Sequence, residues 1–272
     1  MIFRYDIDSV SHCNCSEYKE YERSALAQDR PILPRSTIDA ISSMTTKPAI
    51  LSIVNPCNPT GDFLSLEKLK EWILNNSQRG TFVLVDESML PWIGPDFQQY
   101  SAVQFQHEFV STHGVFIFVI HSWTKIWSCP GLRLGSIICP TEDLLLEFKR
   151  KQVPWSVNGP ALAFLNTVVC DKIYMQQTWD ITSKWRAEIY RALKEISNGA
   201  WDLSGETWLS WIWVNVKDEM TAEKLVNVAR QDGVPIRWGK HGYGRPEHIR
   251  IAVRHPDKVN ILIQAFRKAL AT

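Results

Sequence analysis

Apolar and polar positions along the chain follow two rhythms. Between residues 49 and 120 three nearly unbroken apolar runs stand out: Ala49–Val54 (AILSIV), Thr81–Asp86 (TFVLVD) and Gly114–Ile120 (GVFIFVI). Runs of this length without polar alternation are expected of strands covered on both faces. Between the first two lies a helix-period segment that Ser65 opens as an N-cap, that continues through Trp72, Ile73 and Leu74, and that Asn75-Asn76-Ser77 closes. Strand, turn and helix in repetition predict a mainly parallel sheet with crossover helices. Beyond Pro154 helical spacing takes over, first in Ala161–Val169 and then in Thr178–Ile196. A second α/β unit follows: a strand in WLSWIWVNV, a helix in TAEKLVNVARQDG stopped by Gly233, strands in VPIRWG and HIRIAV, and a closing helix over Asp257–Leu270. The expected organisation is α/β in two domains, 1–175 and 176–272, with the boundary near 172–180.

Composition narrows the function classes. The 30 Lys+Arg against 29 Asp+Glu leave a formal charge of +1, which supplies no electrostatic case for nucleic acid or an anionic membrane surface. The longest apolar run, Gly114–Ile120, is far short of the ~20 residues that cross a bilayer. Arg4, Asp6 and Asp8 interrupt the apolar residues of the N-terminus, so no secretory or transit pattern is present and a cytoplasmic protein is expected. Cysteines at 13, 15, 57, 129, 139 and 170 match no paired zinc spacing, and His12-Cys13-Asn14-Cys15 reads as incidental; no metal is expected, and the thiols are expected to be reduced and mostly buried. The tryptophans, among them Trp72, Trp92, Trp155 and Trp213, read as packing residues.

Groups at the C-terminal ends of parallel strands face the ligand crevice of an open α/β sheet. Asn55, Asp86 and His121-Ser122 occupy such ends. A carboxylate after four apolar residues is costly to bury alone, so Asp86 calls for a cationic partner, in a salt bridge or at a binding site. Lys125, in His-Ser-Trp-Thr-Lys, is expected as a half-buried amine of the kind that serves as nucleophile or Schiff-base former; a solvated surface charge is the alternative. Ser122, Thr124 and Arg133 offer donors suited to a phosphate dianion, or else a local turn with a capping arginine.

Taken together the segments are more specific. Asn-Pro-Cys-Asn-Pro-Thr-Gly (55–61), Val-Asp-Glu-Ser (85–88), Ser-Trp-Thr-Lys (122–125) and Gly-Leu-Arg-Leu-Gly (131–135), in that order, resemble the class I/II aminotransferases of pyridoxal-phosphate fold type I. Pro-Trp-Ser-Val-Asn (154–158) brings the resemblance nearest to threonine-phosphate decarboxylase and histidinol-phosphate aminotransferase. The resemblance implies a three-layer large domain and a smaller C-terminal domain, pyridoxal 5′-phosphate as cofactor, and an amino acid, phosphorylated or otherwise anionic, as substrate. It also implies a homodimer. Lys125 would form the Schiff base with the cofactor and move protons at the substrate α-carbon. Asp86 would face the pyridine nitrogen and Asn58 the phenolic oxygen, while Ser122, Thr124 and Arg133 would hold the phosphate. Arg250 would bind the substrate carboxylate, Asn158 would also reach the substrate, and Arg237 would take its distal phosphate. The likeness begins near Ser16. The family's glycine-containing phosphate turn would precede that point, and its ring-stacking aromatic aligns with Cys15. A second reading follows from those two departures: a relative without catalysis that serves as a binding or regulatory protein.

Overall fold

The computed structural model describes residues 10–12, 19–30, 32–34 and 47–271. Two compact units divide the chain: residues up to Pro56 together with Leu64–Met175, and Cys57–Phe63 together with Gln176 onward. Cys13 and Cys15, including the position aligned with the ring-stacking aromatic, lie outside the described residues.

The first unit is built on a six-stranded sheet of order β2-β1-β3-β4-β5-β6, formed by β1 (Val10–His12), β2 (Ile32–Pro34), β3 (Ile50–Val54), β4 (Phe82–Asp86), β5 (Phe116–His121) and β6 (Ser136–Ile138). All neighbours are parallel except β6, which runs antiparallel to β5. Its helices are α1 (Glu20–Leu26), α2 (Leu66–Asn76), α3 (Glu142–Lys151) and α4 (Gly159–Val168). One sheet face carries Leu51, Ile53, Val83, Val85, Ile117 and Val119, sealed by Leu69, Trp72 and Ile73 of α2. On the other face Phe82 stacks on Phe116 at 5.4 Å, and Ala25 of α1 packs with Ile50. Burial on both faces is the reason the strands read as continuous apolar runs. Each fully buried aliphatic side chain contributes about 1.5–3 kcal/mol.

Local chemistry sets the boundaries. Ser65 caps α2 as expected, its Oγ accepting from Lys68 N at 3.4 Å. The third strand starts at Phe116 rather than at Gly114, because Gly114 is left-handed (φ 64°) and Val115 N donates to Phe109 O, closing a turn. Trp155 departs from the packing expectation. It is 98% exposed, on the outside of a turn closed by Ser156 N on Val153 O. Trp72, Trp92 and Trp213 are buried as expected. Of the four described cysteines, all free, only Cys57 is buried; Cys129 and Cys139 lie half-buried in loops flanking β6 and Cys170 is exposed, so the thiols are less buried than their composition suggested.

The second unit holds an antiparallel sheet of order β7-β8-β10-β9, from β7 (Asp202–Ser204), β8 (Trp211–Asn215), β9 (Arg237–Trp238) and β10 (His248–Ala252). The long helix α5 (Lys172–Ile196) enters this unit, joined by α6 (Glu219–Gln231) and α7 (Pro256–Ala271). Ile189, Leu193, Leu225, Phe266, Ile249 and Ile212 form its core. Asp218 caps α6, accepting from Thr221 N at 2.7 Å, and so starts the helix two residues before the expected Thr221. Among the described residues no helix is long and apolar enough to cross a membrane.

Candidate active site

Parallel register brings chemistry to one edge of the first unit. Val54 pairs with Asp86, and Asp86 with Ile120, so β3, β4 and β5 end level with one another. Asn55 is spoken for at this edge: its Nδ2 donates to Leu64 O at 3.0 Å and its Oδ1 accepts from Leu64 N at 2.8 Å, closing the intervening loop. Asp86 is 7% exposed. The expected protein cation is absent: among the described residues its carboxylate forms no ion pair, and it accepts instead from Tyr21 Oη at 2.6 Å and from Ser88 N at 2.9 Å. Both donors are neutral, so among the described residues no cation faces the carboxylate, in a place where an isolated charge is costly.

Behind Asp86 lies Glu87, buried, its Oε1 accepting from Ala102 N at 2.6 Å and its Oε2 lying 3.4 Å from His121 Nε2. The His121 ring stacks on Trp123, whose Nε1 donates to Ser136 Oγ at 2.9 Å. These contacts tie the end of β4 to the end of β5 and to β6. Gly135 is required there, since a Cβ would lie 2.7 Å from His121 O.

After β5 the chain turns tightly: Lys125 N donates to Ser122 O and Ser128 N to Lys125 O. Ser122 Oγ and Thr124 Oγ1 share a 3.0 Å hydrogen bond, with Thr124 buried. The same turns push Lys125 outward, so its amine is exposed rather than half-buried, and it forms no side-chain hydrogen bond or ion pair among the described residues. Arg133 is exposed and left-handed (φ 56°); its Nη1 donates to Pro130 O at 3.0 Å and no hydrogen bond joins it to Ser122 or Thr124. Asn158 is the N-cap of α4, accepting from Ala161 N at 2.8 Å and donating to Leu132 O at 3.0 Å.

The second unit gathers the remaining candidates. Arg237 and Arg250 sit directly opposite one another on β9 and β10. Arg250 Nη1 donates to Asn58 Oδ1 and, at 3.2 Å, to Tyr243 Oη. The Arg237 guanidinium lies 5.9 Å from the Tyr243 ring centroid. Neither arginine has a carboxylate partner among the described residues. Burial pushes the Arg250 guanidinium below its ordinary pKa; Tyr243 opposes that shift and the neighbouring Arg237 adds to it. The Asn58 loop is held by Trp211, whose Nε1 donates to Pro59 O at 2.7 Å, and by Glu206 N, which donates to Gly61 O at 3.2 Å.

The family model for aminotransferase class I and II matches residues 16–266. The chain belongs to that family. Histidinol-phosphate aminotransferase 1 of Cupriavidus pinatubonensis is 27% identical over 237 residues, which cover 86% of this chain and 59% of that relative. Among solved structures, the histidinol-phosphate aminotransferase from Clostridium acetobutylicum superposes with a TM-score of 0.81 at 20% identity, covering 98% of this chain and 79% of that one. L-threonine-O-3-phosphate decarboxylase from Porphyromonas gingivalis gives a TM-score of 0.77 at 16% identity, covering 97% and 78%. The fold expectation therefore holds: this is the α/β architecture of the fold type I aminotransferases. The chain spans under two thirds of the curated relatives it matches first.

Within this aminotransferase-family chain, sequence reasoning passed over Tyr21, Tyr243, Trp211 and the partnership of Glu87 with His121. Tyr21 lies 65 residues from Asp86, and no local pattern connects them. Tyr243 carries a readable signal, an aromatic in the glycine-rich stretch between two candidate arginines.

Proposed function

We propose that the chain acts as a pyridoxal 5′-phosphate-dependent enzyme on an amino acid with an anionic side chain, in the manner of histidinol-phosphate aminotransferase or threonine-phosphate decarboxylase. The observation that carries this reading is the buried carboxylate of Asp86 without a cation. A protonated pyridine nitrogen is the partner such a carboxylate lacks. The other residues of that unit fit as well: Lys125 presents an amine with no competing side-chain partner among the described residues, and Ser122 and Thr124 present paired hydroxyls next to the Arg133 segment. When bound, the cofactor supplies an electron sink for the bond broken at the substrate α-carbon. Lys125 would hold the cofactor covalently and move a proton at that carbon; Asp86 would keep the ring nitrogen charged; Ser122, Thr124 and Arg133 would hold the phosphate; Asn158 would reach the substrate.

The substrate class rests on Arg237 and Arg250. Like charges directly opposite on neighbouring strands destabilise a sheet, and among the described residues neither arginine has a carboxylate partner. Two anionic groups, a carboxylate at Arg250 and a phosphate at Arg237, remove that conflict. For assembly we propose a homodimer, supported by the exposed apolar residues Val153, Trp155, Leu162, Val169 and Ile173 along α4 and its flanks.

Titration of purified protein with pyridoxal 5′-phosphate, followed by visible absorbance and borohydride trapping, tests the reading. The wild type is expected to develop a lysine-linked band that reduction makes permanent and that Lys125→Ala lacks. Identical spectra for the two proteins refute it and favour a binding or regulatory role.

A further inference from the structure

Asp86 is held by two donors on different oxygens: Ser88 N meets Oδ1 at 2.9 Å and the Tyr21 hydroxyl meets Oδ2 at 2.6 Å. A carboxylate anchored on one oxygen still swings about its last side-chain torsion, which is broad for Asp. With both oxygens engaged, the plane of the group is fixed. The 2.6 Å separation is that of a charge-assisted O–H···O⁻ bond, roughly twice as strong as a neutral one. Tyr21 reaches this place from α1, whose Ala25, one turn further along, is buried against the sheet and sets the helix over β4. The chemistry of the donor matters as well. A lysine or arginine at this point would form the ion pair itself and take up the negative charge, whereas a phenol orients the carboxylate and leaves its charge intact. One lone pair on each oxygen remains for a further donor.

From this geometry we propose that Tyr21 is a positioning residue for the cofactor: it fixes the Asp86 carboxylate in the orientation that meets the pyridine nitrogen. The inference rests on the proposed pyridoxal-phosphate reading of this edge. It makes Tyr21 matter only through the ring nitrogen, and this separates it from a role in holding α1 in place.

The experiment measures dissociation constants of wild type and Tyr21→Phe for two probes, pyridoxal 5′-phosphate and its 1-deaza analogue, in which carbon replaces the ring nitrogen. Melting of both proteins without cofactor serves as the folding control. Tyr21→Phe is expected to bind pyridoxal 5′-phosphate more weakly by roughly tenfold or more, the scale of one lost hydrogen bond to a charged group, and to bind the deaza analogue as the wild type does. Equal weakening toward both probes assigns Tyr21 a structural role and overturns the proposal, as does unchanged affinity for pyridoxal 5′-phosphate. A wild type that binds neither probe overturns the cofactor reading itself, and this inference with it. Wild-type binding that Tyr21→Phe leaves intact removes only the inference.

Discussion

The loop that carries Asn58 offers a sharp test of how the second unit is assembled. Gly61 has φ 80°, and a Cβ built there would fall well inside contact distance of Gly205 Cα while also meeting Leu209 Cδ1 at 3.1 Å. Gly205 cannot retreat freely, because its carbonyl accepts from the buried Arg186 Nη2 at 2.7 Å. Gly199, in the same unit, has almost the same φ, 78°, with nothing within 4 Å of its would-be Cβ. The two glycines therefore separate conformational strain from collision. Alanine in the left-handed region costs about 1–2 kcal/mol, which is the whole expected effect of Gly199→Ala. Gly61→Ala adds the cost of forcing two backbones apart, about 1–3 kcal/mol by analogy with overpacking, for a total of about 2–5 kcal/mol. Urea unfolding reads the difference: with a slope of about 2 kcal/mol/M, the midpoint falls by about 1–2.5 M for Gly61→Ala and by no more than about 1 M for Gly199→Ala. Equal midpoint shifts with unchanged slopes would refute the claim that close packing of residues 57–63 on the β7–β8 connection holds Asn58 in place.

Two further predictions concern charge. Burial pushes the His248 imidazole below its ordinary pKa of 6.5, with Glu247 partly opposing the shift. The unfolded chain therefore binds that proton more readily than the folded one, and the stability His248 gives as a neutral group falls as pH drops through 6.5 toward the lower folded value. Thermal melts across that window should decline less steeply in His248→Gln than in wild type, and parallel declines would refute the assignment. Arg237→Ala should weaken binding and turnover of a phosphorylated amino acid by tenfold or more, on the order of one lost charge-assisted contact, while sparing a neutral amino acid; equal loss on both would place Arg237 outside the substrate site.

How much of this was legible in the sequence depended on how local the determinant is. Strands β3, β4 and β5 were readable because a sheet covered on both faces leaves an unbroken apolar run, and α2 and α6 because their periodicity and breakers lie within a dozen residues. Residues 90–113 gave no period, and they form short 3-10 and π turns with none to give. Strands β6 and β7 are three residues each, too short to show a pattern. The Asn-Pro-Cys-Asn-Pro-Thr-Gly segment announced a turn, but the membership of its residues from Cys57 onward in the second unit comes from Trp211 and Gly205, some 150 residues away. Lys125 was legible as chemistry and misjudged in burial, because exposure was set by two consecutive turns that apolar patterning does not encode.

The site shows the same division, and the residues that break local rules are the informative ones. Asp86 violates the rule that a buried carboxylate is paired with a cation, and Arg237 facing Arg250 violates the rule against like charges across a strand pair. By contrast, several exposed charges in the second unit are paired: Lys217 with Asp202, Lys240 with Glu219 and Arg267 with Glu195. Among the described residues the Asp86 carboxylate and the facing pair Arg237 and Arg250 have no partner of opposite charge, and bound groups of opposite charge would resolve both conflicts. The negative charge in the first unit calls for a cationic ring and the two positive charges in the second for a dianionic substrate, and these are the complementary halves of the chemistry proposed.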